Sequence, residues 1–134
     1  MTTKAEWARA RAGIGPGPRI RCPNFLVFVR SVWPKIAAMP CRSSGARTKM
    51  PSVMIGVDDR DHGTTVYWDR KSTRLRLVVV YVPNGRTTFN RKVAVHELLH
   101  ARGFRHGKRK DGDFNRQCLF DSFTTHVEKE ILGL

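Results

Sequence analysis

The order of apolar and polar positions along the chain predicts a small sheet with helices around it. An apolar stretch predicts a helix from about residue 24 to residue 39, with a candidate kink at Pro34. Three later stretches rich in β-branched and aromatic residues predict strands at 52–57, 64–69 and 74–82. Because only a short polar segment separates the last two strands, we expect them to form a hairpin.

A second helix is predicted at about 88–103, after the turn signal Pro83-Asn84-Gly85. Thr88 or Asn90 can cap its amino end. The helix carries an apolar stripe at helical spacing, formed by Phe89, Val93, Val95, Leu98 and Leu99. With a last helix expected at 121–134, the fold class is α/β (α+β): a small twisted mixed sheet, a backing helix, the 88–103 helix and a C-terminal helix.

The 88–103 helix carries the most informative pattern in the chain, H-E-x-x-H-x-x-G-x-x-H from His96 to His106. Side chains four residues apart share one helix face, so His96 and His100 can bind one metal ion. Glu97 points about 100° further round, which suits a general base rather than a ligand. Gly103 can end the helix in a left-handed conformation, and the reversed chain can bring His106 back as a third ligand.

Three histidine ligands with one open position are typical of a catalytic zinc site, because structural zinc sites are closed by four protein ligands. The H-E-x-x-H core alone occurs by chance in many sequences. Here the glycine and the third histidine follow at the required spacing, and three of the five histidines of the chain fall within this window. The sequence therefore predicts one Zn²⁺ as cofactor.

At these residues the chain resembles the metzincin clan of zinc endopeptidases, and within it the matrixin-like group. The resemblance implies that His96, His100 and His106 are the zinc ligands, that Glu97 is the catalytic glutamate and that Gly103 turns the chain. It implies a metzincin-like fold and a zinc-dependent endopeptidase that hydrolyses peptide bonds with zinc-activated water and Glu97 as general base.

The resemblance extends over about residues 52–134, and only the eleven-residue motif is highly specific. Metzincins have a methionine turn under the zinc, but no methionine follows His106 in this chain. Leu119 stands where that methionine is expected and could provide an apolar floor of similar volume. The missing methionine also leaves open a divergent group, encoded by a phage or another mobile element.

The charge of the chain is strongly positive. The 134 residues carry a formal net charge of +14 with a pI of about 10.9, which favours contact with polyanions such as nucleic acid or acidic peptides. Residues 1–50 hold ten Lys and Arg against one Glu. We expect residues 1–21 to form a flexible basic arm, residues 22–134 to form a single catalytic domain, and the Arg102–Lys110 cluster to edge the cleft. A basic surface that only aids solubility is the alternative.

Other features of the sequence bear on compartment and on further sites. Cys22, Cys41 and Cys118 show no metal-binding spacing, and no signal peptide or membrane span is evident, so the sequence favours a cytoplasmic chain with reduced thiols. The segment around Cys22 only weakly resembles the matrixin cysteine switch. His62 lies among three aspartates, for which a surface turn is favoured over an ion site.

Two other functions compete with the peptidase hypothesis. A bacterial family of rRNA-maturation endoribonucleases is similar in using three histidines at H-x3-H-x5-H, and the positive charge suits an RNA substrate. That family has glycine where this chain has Glu97. The third hypothesis is a non-catalytic zinc domain that binds nucleic acid through the basic arm. Only the peptidase needs a base at position 97.

Overall fold

The computed structural model describes residues 21–39, 41, 47–68 and 75–106, together with the backbone of residues 119–120. Within these ranges the elements in chain order are α1 (Phe25–Ala37), β1 (Val53–Asp58), β2 (His62–Tyr67), β3 (Leu75–Pro83), α2 (Arg91–Arg102), β4 (Arg105–His106) and β5 (Leu119–Phe120). The predicted basic arm and the predicted C-terminal helix lie almost wholly outside the described residues.

The three longer strands form the mixed sheet that the sequence predicts, and their order in it is β1-β3-β2. β1 runs parallel to β3, with Ile55 opposite Val80, whereas β2 runs antiparallel to β3, with Thr65 opposite Val78. The central strand β3 is the most apolar, and its residues 77–82 are buried. Within the described part of the chain β2 pairs with β3 alone, so β2 is an edge strand of this sheet.

Both long helices pack against one face of the sheet and form the main core. α1 presents buried side chains at helical spacing, and α2 adds its own apolar stripe against the alternate residues of β1 and β3. The largest side chains of this cluster with under 2% exposure are Phe25, Val29, Ile36, Ile55, Val78, Val80, Val82, Val95, Leu98, Leu99 and Phe104. The prediction of an α/β fold with a backing helix is therefore confirmed.

The opposite face of the sheet is also apolar and buried. Met54, Leu77, Val79 and Tyr81 form a second cluster there. The ring of Tyr81 lies against Gly56 so closely that an added Cβ would come within 2.7 Å of two ring carbons. On its other side the ring stacks on His62, with ring centroids 4.5 Å apart. A side chain at position 56 would displace this stack.

Two details, at Cys41 and Arg102, differ from the sequence-based expectations, whereas Cys22 agrees with them. Cys41 is disulfide-bonded, so the expectation that the thiols are reduced is wrong for this residue. Cys22 is a free cysteine with 1% exposure, and burial raises the pKa of its thiol. Arg102 was expected in an exposed cluster but is buried, because its guanidinium donates to the main-chain oxygens of Met39 (2.7 Å) and Arg47 (3.4 Å).

No helix in the described ranges combines the length and the apolar character that crossing a membrane requires. The predicted helix at 24–39 is the buried helix α1, which carries Pro34 inside it as expected.

Candidate metal centre

Helix α2 presents two histidines on one face. Its start is fixed by Asn90, whose side chain accepts a hydrogen bond from the main-chain N–H of Val93. His96 and His100 follow one turn apart, and their ring centroids lie 5.0 Å from each other. Both rings are half-buried. The helix thus places the two imidazoles as the four-residue spacing predicts.

The chain then turns sharply and returns a third histidine to the same point. Gly103 has φ of 129°, and its N–H donates to the carbonyl oxygens of Leu99 and His100, while the N–H of Phe104 also donates to Leu99. Phe104 is buried in the main core with 1% exposure and fixes the turn. His106 on β4 follows two residues later.

The three imidazoles converge. The ring centroid of His106 lies 4.9 Å from that of His96 and 4.6 Å from that of His100. The Nε2 atoms of His100 and His106 are 3.0 Å apart. Each of the three residues offers one ligand nitrogen, and the three nitrogens lie within 4.8 Å of one another. Among the described residues this is the one group of three or more His, Cys, Asp or Glu that could hold a metal ion.

These distances fit a first-row metal bound by three nitrogens. Two imidazole nitrogens at ~2.05 Å from a tetrahedral zinc ion lie roughly 3.3 Å from each other. The 3.0 Å between the two Nε2 atoms is close to that separation and requires only a small adjustment. His106 is exposed, so the centre opens to solvent on its side. An open side is what a metal with a free coordination position needs.

The electrostatics of the site favour neutral imidazoles, which are the forms that bind metals. Burial, together with the nearby His106, lowers the pKa of His96 to about 4. Burial likewise lowers the pKa of His100 to about 4. The Nδ1 atom of His100 lies 2.9 Å from the main-chain oxygen of Phe104. With Nδ1 donating to that oxygen, the Nε2 lone pair of His100 faces the cluster.

Glu97 lies beside the histidines along the helix but points to the sheet. Its side chain is 7% exposed, and it is not a member of the metal-binding group, in agreement with the predicted 100° offset. The hydroxyl of Thr65 on β2 lies 2.9 Å from Glu97 Oε1. Burial raises the pKa of Glu97 to about 7, while the hydrogen bond from Thr65 acts in the opposite direction. Glu97 can therefore exchange a proton near neutral pH.

Three residues of β2 reach the site without being singled out by the sequence. Thr65 contacts Glu97, Gly63 lies against the Glu97 side chain, and the hydroxyl of Tyr67 lies 3.5 Å from the main-chain oxygen of His100. Burial raises the pKa of Tyr67. The sequence signal was the small polar run Gly63-Thr64-Thr65 at the start of the predicted second strand, which departs from the apolar pattern of the other two strands.

The segment at Leu119, which was predicted to lie under the metal, has its main chain next to the strand that carries His106. β5 pairs in parallel with β4, so that Leu119 lies opposite Arg105 and Phe120 lies opposite the ligand candidate His106. The side chain of Leu119 is outside the described part of the structure, so its role as a substitute for the Met-turn methionine stays a prediction.

His62 is not part of this centre. It bonds to the Asp58 carboxylate and stacks on Tyr81, and the neighbouring Asp61 pairs with Arg86. The hydrogen bond from the main-chain N–H of Asp59, and after it the one from His62, hold the pKa of Asp58 well below its usual range. A hydrogen-bonded turn accounts for His62 and the three aspartates around it, which is the hypothesis that the sequence favoured for this segment.

Comparison of the chain with protein-family models, curated proteins and solved structures finds no match. The chain is therefore assigned to no family here. The geometry of the protein shows a small α/β fold in which three histidines could hold a metal ion.

Proposed function

We propose that this protein is a zinc-dependent endopeptidase in which His96, His100 and His106 bind the metal and Glu97 is the general base. The observation that carries the proposal is the convergence of three imidazoles on one point, with a single buried carboxylate next to them along the helix. The spacing of these residues resembles that of the metzincin clan, which supports the peptidase class.

The donor set favours zinc and the other transition metals that imidazoles bind over magnesium and calcium. Magnesium and calcium prefer oxygen ligands, whereas neutral imidazoles suit zinc, copper, iron and nickel. Three histidines with a fourth position open are the arrangement of catalytic zinc. A bound zinc ion supplies a Lewis acid that polarises a carbonyl and lowers the pKa of water to about 7.

Glu97 supplies the proton transfer that peptide hydrolysis needs. Its carboxylate removes a proton from the attacking water and then gives the proton to the leaving amine. A general base works best when its pKa lies near the working pH, and burial raises the pKa of Glu97 to about 7. The carboxylate reaches this value because it is almost wholly withdrawn from solvent.

The edge strand β2 offers a place for an extended substrate. Strands at a sheet edge can pair with a peptide through main-chain hydrogen bonds, which align the peptide without regard to its sequence. β2 (His62–Tyr67) contacts α2 at Glu97, and among the described residues its second edge pairs with no strand. A peptide added there would pass beside the metal-binding helix.

The high positive charge is compatible with two competing candidates, a three-histidine endoribonuclease and a non-catalytic zinc domain that binds nucleic acid. The net charge of +14 would attract RNA and would equally attract acidic peptides. We propose that this charge steers polyanionic partners to the protein through the basic arm and through Arg105, which is exposed. Arg102 is excluded because it is buried.

One experiment separates these functions. The metal content of the purified chain is measured, and cleavage of a denatured protein and of structured RNA is assayed in parallel, with and without a chelator. The proposal predicts about one zinc ion per chain and chelator-sensitive cleavage of the protein. Chelator-sensitive cleavage of RNA alone would favour the endoribonuclease, and bound zinc without either cleavage would favour the non-catalytic domain.

A further inference from the structure

Helix α2 and strand β2 contact each other at Glu97. The Thr65 hydroxyl lies 2.9 Å from Glu97 Oε1 and 3.1 Å from the main-chain oxygen of the same residue. One threonine thus touches both ends of the glutamate. Because Glu97 is 7% exposed, water has little access to compete for this contact.

The approach is possible only because position 63 has no side chain. A Cβ added to Gly63 would come within 2.6 Å of Glu97 Cγ, 3.0 Å of the Val79 main-chain oxygen and 3.1 Å of Val93 Cγ1. The carbon of Glu97 is in the middle of the side chain and cannot swing away freely. Gly63 therefore allows β2 to lie in contact with the Glu97 side chain. Thr65 lies two residues further along on the same face of the strand, so its hydroxyl reaches the carboxylate.

We propose that Thr65 is a positioning residue, whose hydroxyl fixes the Glu97 carboxylate in the orientation that proton transfer requires. This inference rests on the proposed function, in which Glu97 is the general base. A glutamate side chain has three rotatable bonds, and loss of orientation by about 1 Å at a reacting group can lower the rate a hundredfold. The single proton of the hydroxyl is shared between Oε1 and the main-chain oxygen of Glu97, which leaves Oε2 without a bond to Thr65.

The same strand would then align both reactants. A peptide paired with the edge of β2 takes its position from the main chain of β2, and Glu97 takes its position from the Thr65 side chain of β2. Base and substrate would thus share one rigid element, which holds their separation constant. A purely structural role for Thr65 predicts something different, namely a loss of stability without a selective loss of turnover.

The test compares four variants of the full chain. Thr65→Val keeps the shape and removes the hydroxyl, Thr65→Ala removes it with a smaller side chain, and Thr65→Ser restores it. Thr64→Val is the matched control, because Thr64 lies opposite Val79 and faces the other side of the sheet. Zinc content, kcat and KM are measured for a peptide that the wild-type chain cleaves.

We expect Thr65→Val and Thr65→Ala to keep one zinc ion per chain and a KM within about twofold, while kcat falls roughly ten- to hundredfold. Thr65→Ser and Thr64→Val should remain within about threefold of wild type in kcat. Equal kcat for Thr65→Val and wild type would overturn the proposal. A loss in Thr65→Val that Thr65→Ser does not restore would overturn it as well.

A second measurement tests the contact without any catalysis. Melting temperatures of the zinc-free chain are compared for wild type, Thr65→Val, Glu97→Met and the double variant, because methionine keeps the length of the side chain and removes both acceptor oxygens. Coupled residues give non-additive shifts, and additive shifts would overturn the contact itself. If wild type cleaves no peptide although the shifts are non-additive, the proposed function fails while the contact between Thr65 and Glu97 stands.

Discussion

The imidazole of His100 is anchored by the main chain of Phe104, whose carbonyl oxygen lies 2.9 Å from Nδ1. The two residues are linked by the turn at Gly103, so the backbone that delivers His106 also orients His100. Such an anchor fixes which ring nitrogen carries the proton and leaves the other to a metal. The geometry of the three-histidine cluster therefore depends on a helix end as well as on the ligands.

Replacement of Gly103 tests that dependence. Gly103 has φ of 129°, where a side chain is strained, so Gly103→Ala should cost about 1–3 kcal/mol and weaken zinc affinity roughly ten- to hundredfold. Gly85→Ala is the matched control, because Gly85 also has positive φ (83°) and no atom lies within 4 Å of an added Cβ. Gly85→Ala should lower the melting temperature and leave zinc affinity unchanged. Equal zinc affinity in both variants would show that the turn at Gly103 does not influence metal binding.

The ligand assignment makes a stoichiometric prediction. Alanine at position 96, 100 or 106 should reduce bound zinc from about one ion per chain to a small fraction, since two imidazoles bind zinc far more weakly than three. His62→Ala should retain full zinc, because His62 bonds to Asp58 and lies outside the cluster. Metal analysis of purified variants measures both. Full zinc in His106→Ala would mean that another residue is the third ligand.

Glu97 should reduce the stability of the metal-free chain at neutral pH. Burial raises its pKa from 4.5 to about 7, so the folded chain favours the protonated carboxyl and loses stability as pH rises between these two values. Glu97→Gln keeps the shape and cannot ionise. It should match wild type near pH 4 and be more stable by roughly 3 kcal/mol above pH 7.

Chemical denaturation at a series of pH values, with a chelator present, measures this difference. The lowered pKa values of His96 and His100 affect both proteins alike and cancel in the comparison. A constant difference between the two proteins from pH 4 to pH 8 would show that Glu97 is not buried as a titrating carboxyl.

Gly63 should resist substitution for a steric reason. Gly63→Ala places a carbon 2.6 Å from Glu97 Cγ and 3.0 Å from a main-chain oxygen, so β2 must move away from α2. Overpacking of this kind costs about 1–3 kcal/mol. The measurement is the denaturant midpoint of Gly63→Ala compared with that of wild type. A midpoint for Gly63→Ala equal to that of wild type would mean that the strand and the helix are not in close contact.

Features that depend on neighbouring residues along the chain were predicted from the sequence. The capping side chain of Asn90, the helix end at Gly103 and the convergence of the three histidines all follow from residue type and short spacing. The predicted strand at 64–69 is observed at 62–67, because the acidic turn is shorter than expected and β2 begins directly after Asp61.

Contacts between segments that are distant along the chain could not be predicted from local sequence patterns. The parallel pairing of β1 with β3 and the contact of Thr65 with Glu97 join residues far apart in the chain, and no local pattern encodes them. Arg102 was misjudged for the same reason, since carbonyl groups of Met39 and Arg47 draw it into the interior. The disulfide at Cys41 likewise depends on the tertiary structure and not on a local sequence pattern.

The most direct test of the proposed function is peptide hydrolysis by wild type and Glu97→Gln at equal zinc loading. The proposal predicts that both chains hold one zinc ion and that wild type cleaves a denatured protein. Glu97→Gln should then retain no more than roughly a hundredth of the wild-type rate, because the ligands remain and the base is gone. A zinc-loaded Glu97→Gln chain that cleaves the protein as fast as wild type would contradict the account.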